Sequence, residues 1–105
     1  MASGGARVVC GSVVGTGAAM DVETVGFRPR SVKLINSANP ASMEWNEAMP
    51  DDSAFQLYEN TKVSSVFIAA KGITPLDDGF TVEGDADTTN HVNVSGETIY
   101  WEAHE

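Results

Sequence analysis

Cysteine is almost missing from this chain: Cys10 is the only one in 105 residues. A lone cysteine closes no intrachain disulfide, so stability must come from packing. Set beside Val8, Val9 and Val13, Cys10 reads as a small buried apolar side chain. Cations are scarce as well, with 6 Lys and Arg against 15 Asp and Glu and a formal net charge of −9. Such a balance favours solubility and disfavours contact with nucleic acid or anionic lipid. No apolar run approaches the ~20 residues that span a bilayer as a helix. Helical periodicity of useful length is lacking, and so is any internal repeat. Residues 1–14 hold one Arg among interrupted apolar positions, which does not make a signal peptide and fits a cytosolic translation start.

The patterns that carry catalysis are also missing. His91 and His104 share no metal-ligand spacing. No serine is framed by a Gly-x-Ser-x-Gly elbow. Residues 11–17 are rich in glycine but lack the lysine of a phosphate-binding loop, leaving a flexible turn. Asp85 and Asp87 share the Asp-x-Asp spacing of calcium loops, yet the further oxygen ligands and the closing Glu are absent. A solvated acidic loop is the plainer reading there, with calcium left open. Asn93-Val94-Ser95 fits a glycosylation sequon, which reads as chance beside a single Cys and no leader. The expectation is a protein that is not an enzyme and has no cofactor.

What the chain does have is short β-prone runs separated by turn clusters. Val32 and Leu34 alternate with Ser31 and Lys33; Ala41, Met43 and Trp45 alternate with Ser42, Glu44 and Asn46; Ile99, Trp101 and Ala103 fall on one face of a last run. Residues 54–59 fit either a strand or a helical turn. Residues 62–70 put Val66 and Ile68 on one face and Phe67 on the other, as in a central strand or one facing a neighbouring subunit. Asp78-Gly79 reads as a hairpin turn in which both positions tolerate positive φ. About eight short strands in a single domain, residues 1–105, predict an all-β antiparallel sandwich, jelly-roll-like, with residues 1–5 as a flexible arm.

Charge is unevenly placed. Every Lys and Arg lies at or before Lys71, and the remainder is acidic. Solvation of an acidic face accounts for this, and so does contact between the two ends of neighbouring copies. Arg28 and Arg30 flank Pro29, and their forks suit carboxylates of a neighbour; an exposed turn accounts for them equally. Among the large rings, Trp45, Tyr58, Tyr100 and Trp101 suit a core or an interface. Tyr100 lies opposite Trp101 and is expected to meet a partner or solvent. The candidate interface residues are therefore Arg28, Arg30, Phe67 and Tyr100.

Two segments carry a resemblance. Residues 25–36, beginning Val25-Gly26-Phe27-Arg28-Pro29-Arg30-Ser31-Val32, resemble a Gly-Phe-x-Pro-x-x-Val strand entry, and residues 73–82, with Asp78-Gly79-Phe80, followed by residues 93–103, ending Ile99-Tyr100-Trp101-Glu102-Ala103, are similar to a closing hairpin, both of small β-structured virion proteins of tailed bacteriophages. The resemblance implies a virion component made in the host cytoplasm, commonly trimeric: a capsid decoration (cement) protein bound to the major capsid protein. The alternative it implies is a receptor- or glycan-binding knob of a tail or fibre, with Trp45, Tyr58 or Tyr100 exposed beside acidic residues.

Overall fold

The structure, a computed structural model, describes residues 7–38, 41–59, 63–84 and 91–105. Eight strands carry the fold: β1 (Val8–Val14), β2 (Met20–Val22), β3 (Ser31–Asn36), β4 (Ala41–Asn46), β5 (Ser53–Glu59), β6 (Val63–Leu76), β7 (Gly79–Val82) and β8 (Thr98–His104). No helix occurs among the described residues. The strands form one antiparallel sheet in the order β1-β8-β3-β4-β5-β6-β7-β2, nearly closed into a barrel. The hydrogen bonds thus run through a single curled sheet. The all-β expectation holds, and residues 54–59, ambiguous by pattern, lie within strand β5.

Alternation decides which side chains point inward. Val32, Leu34, Met43, Trp45, Ile99, Trp101 and Ala103 are buried as their period-2 pattern predicts. Phe80 reaches across the interior from β7 and meets Trp101 edge-on, with ring centroids 5.8 Å apart. Between β2 and β3 the chain passes inward through Val25 and Phe27, both buried. The Arg7 guanidinium lies 5.0 Å above the Phe27 ring.

Cys10 corrects one expectation, because it is exposed. Register explains the inversion. Gly11 opposes Trp101, and a Cβ on Gly11 would fall 2.6 Å from the indole. The residue under the indole therefore has to be glycine, and Val9, Gly11 and Val13 face inward. Val8, Cys10, Ser12 and Val14 must then face out.

The hairpin expected at Asp78-Gly79 is present between β6 and β7, but Gly79 is not one of its turn residues. Leu76 pairs with Gly79 across a loop of Asp77 and Asp78 alone, and neither Asp takes a positive φ. Gly79 is instead the first residue of β7, packed against the Val22 carbonyl of β2. Between β5 and β6 the register jumps from Ala54↔Ile68 to Ser53↔Ile73, so residues 69–72 form a bulge. There Lys71 takes φ 69°, and Gly72 donates to the Asp52 carbonyl (2.9 Å) while accepting from the Glu83 amide (3.0 Å).

Residues 91–93 fill the end of the barrel where β1 turns into β2, and His91, Val92 and Asn93 are all buried. Asn93 accepts from the Thr16 and Gly17 amides at 3.0 and 3.1 Å and donates to the Ala18 and Glu83 carbonyls at 2.8 and 3.1 Å. It thus ties the β1–β2 turn to the end of β7. Its amide donates to His91 Nδ1 (3.1 Å). His91 Nε2, 2.7 Å from the Lys71 carbonyl, must then carry the proton and donate. The side-chain nitrogen of the sequon's Asn93 is thus buried and engaged by two carbonyls.

Candidate interaction surface

The outer face of six neighbouring strands, β1-β8-β3-β4-β5-β6, bears most of the large exposed apolar side chains; Val66, 42% exposed, lies on the opposite face. Cross-strand register arranges them in rows. One row runs Ser12, Tyr100, Ile35, Ser42, Leu57, Ser65; the next runs Cys10, Glu102, Lys33, Glu44, Phe55, Phe67. Tyr100 is 52% and Phe67 50% exposed, with Phe55, Leu57 and Ile35 between 42% and 45%. At a strand spacing of ~4.8 Å the six strands follow an arc of about 25 Å around the curled sheet, with Ser42, Lys33, Glu44 and Glu102 set among the apolar side chains. Exposed apolar side chains gathered on one sheet surface mark places where a protein meets another surface.

Two of the four candidate interface residues, Phe67 and Tyr100, lie on this face. Phe67 opposes Phe55 directly across β5 and β6, so its side chain already has one aromatic neighbour. Val66 and Ile68 point to the other face, as their alternation predicts. Because Phe67 projects outward, Phe67→Ser is expected to cost no more than about 1 kcal/mol, the range of a cross-strand pair. A thermal melt showing a much larger loss would place Phe67 in the core.

The charges on the face are few and alternate in sign. Lys33 lies between Glu44, at 3.7 Å, and its other cross-strand partner Glu102. His104 Nε2 donates to Glu102 at 2.9 Å. That hydrogen bond, helped by the charges of His104 and Lys33, holds the Glu102 carboxyl below its ordinary range although desolvation opposes it. A depressed folded-state pKa contributes stability above the ordinary carboxylate range, which is lost as pH falls through the folded value. A carbon-detected NMR titration should place the Glu102 midpoint below that of an unpaired Glu; an ordinary midpoint would remove the His104 contact. Shallow grooves of about 420 and 240 Å³ flank this row, the first lined by Met49, Phe55 and His104, the second by Cys10, Ile35 and Tyr100.

Arg28 and Arg30 sit apart, beside a hollow of about 230 Å³ lined also by Pro29, Glu47, Asp51 and Pro75. Their nearest carboxylates belong to the same chain: Asp77 at 3.7 Å from Arg28 and Glu47 at 3.9 Å from Arg30. Both guanidinium groups stay more than half exposed, and pairs of this kind contribute little to stability. Trp45 is buried, with Nε1 donating to the Pro50 carbonyl (3.1 Å), and Tyr58 is half-buried. Of the rings proposed for stacking on a glycan, Tyr100 is the exposed one. Asp85 and Asp87 lie outside the described residues, as do residues 1–5. Phe55, Leu57 and Ile35 escaped the sequence reading. Phe55 and Leu57 alternate with Ala54 and Gln56, a signal that needed the strand assignment of residues 53–59 first.

No protein-family profile matches the chain, and no curated protein or solved structure does either.

Proposed function

We propose that the chain is a structural virion protein of a tailed bacteriophage, a decoration protein that lies on the outside of the capsid and braces the lattice through many weak contacts. The observation that carries this reading is the outer face of β8, β3, β5 and β6, where Tyr100, Ile35, Leu57, Phe55 and Phe67 stand roughly half exposed. A face of this kind suits a partner with a large repeating surface, here the major capsid protein. Modest affinity per copy is enough when the site recurs around a lattice and copies are joined to one another. The reading includes a homo-oligomer, with three copies the number that the phage resemblance implies, and it assigns no catalytic or cofactor role. Arg28 and Arg30 are kept as a second contact, since their forks remain open to a neighbour's carboxylates.

A jelly-roll-like sandwich is the finer fold reading that belongs to this proposal. β1 pairs with β8 and β2 with β7, so the first and last strands pair, as do the second and next-to-last. The 20 Å thickness of the chain suits two layers of backbone about 10 Å apart with side chains on both outer faces.

The test is gold-labelled antibody against the chain on purified virions. Label over the whole head is the expected result. Label confined to the tail would transfer the assignment to a receptor- or glycan-binding knob, for which Tyr100 beside Glu102 supplies one exposed ring next to an acid. Virions without label would remove both readings.

A further inference from the structure

Among the described residues, strand β1 ends the sheet and pairs with β8 alone. Its hydrogen bonding has a definite parity. The Gly15 amide donates to the Glu97 carbonyl and the Glu105 amide to the Arg7 carbonyl, in the same register that opposes Val9 to Ala103 and Val13 to Ile99. Odd-numbered residues therefore carry the bonds to β8, and Val8, Cys10, Ser12 and Val14 turn their N–H and C=O groups to the open edge. Natural edges are usually guarded by Lys, Pro, inward charges or a bulge. This one has none of them: β1 is Val-Val-Cys-Gly-Ser-Val-Val, seven residues without charge or proline, and Val8 and Val14 are 53% and 57% exposed.

That sequence reads nearly the same from both ends, centred on Gly11. We infer that a second copy of this chain pairs here, β1 against β1 antiparallel about a two-fold axis at Gly11. Val8 then opposes Val14 of the other copy and Cys10 opposes Ser12. These are the residues whose backbone groups have no partner among the described residues, so each such pair exchanges two hydrogen bonds. Two chains of net charge −9 repel, and this edge lets them meet without placing one carboxylate against another. Pairing also has a consequence for the outer face. Cys10 and Ser12 belong to its rows, so the outer rows of one copy continue into those of the other. The contact is isologous and closes at two copies. It keeps the decoration reading but replaces the three copies that the phage resemblance implies with two, and it stands independently of whether a capsid is the surface they cover.

Light scattering on the purified chain is the test. The unaltered protein is expected at twice 11.1 kDa across a concentration series. Ser12→Lys puts a charge on the edge and is expected to weaken association at least ~10-fold with an unchanged melt. Ser12→Pro serves as a second variant, because the Ser12 N–H points away from β8 and its loss spares the internal ladder. In the pair, Cα atoms of hydrogen-bonded partners lie about 5.5 Å apart, within reach of a disulfide. Ser12→Cys should therefore give a covalent dimer with Cys10 of the other copy under mild oxidation. A monomeric native mass, or three copies indifferent to both Ser12 variants, would overturn the inference. Labelled heads with a monomeric chain would leave decoration standing and remove the edge contact; an edge-dependent dimer with unlabelled virions would do the reverse.

Discussion

Asn93→Ala is expected to lower stability by about 3–5 kcal/mol, a large part of the 5–15 kcal/mol typical of a domain. The side chain is fully buried and uses both of its donors and both acceptor sites, on the Ala18 and Glu83 carbonyls and the Thr16 and Gly17 amides. Alanine leaves the Thr16 and Gly17 amides and the Glu83 carbonyl short of a partner, while the Ala18 carbonyl keeps the Thr16 hydroxyl at 2.9 Å. Each buried group so orphaned costs roughly 1–3 kcal/mol, less where water enters. The groups lie on separate segments, so the damage concentrates where the sheet approaches closure. Melting followed by tryptophan fluorescence should shift down by on the order of 15 °C. A shift of only a few degrees would mean that the β1–β2 turn is held by other contacts.

The second large effect is expected from Gly79→Ala. A Cβ there would lie 1.7 Å from the Val22 carbonyl oxygen and 2.8 Å from its carbon, far inside van der Waals contact. The obstacle is backbone, which cannot rotate aside as a side chain can. β2 must separate from β7, breaking the Met20↔Val82, Asp21↔Thr81 and Val22↔Phe80 pairing. A loss of about 3 kcal/mol or more is expected, at the upper end of overpacking effects. Hydrogen exchange offers the sharper readout, since protection of the β2 and β7 amides should fall before that of β3 and β4. A variant with native protection in β2 would show that the two strands lie farther apart.

These two positions show which features could be read in advance. Val32 with Leu34, Met43 with Trp45, and Ile99 with Trp101 announce their inward faces by local alternation, and local alternation is legible in one dimension. Gly79 offered a local explanation, the Asp-Gly turn, but its role is set by a strand far away in sequence. Cys10 failed for a related reason. A Val-rich run has no polar residue to mark its outer face, and the choice falls to Trp101 pressing on Gly11 across the β1–β8 pairing. Asn93 and His91 look like loop residues because their polarity is visible and their partners at Thr16, Gly17 and Lys71 are not. Phe67 and Tyr100 were found because each opposes a strongly apolar neighbour. Their union on one face with Phe55 required the register of four further pairings.

We propose that the chain works by covering a surface with the side of the sheet that bears Phe55, Phe67 and Tyr100. Hydroxyl-radical footprinting tests this most directly, comparing the free chain with chain bound to phage heads. All three rings, reactive in the free chain, are expected to become protected on the particle, while Arg28 and Arg30 change less. Full reactivity of Phe55, Phe67 and Tyr100 in the bound chain would contradict it.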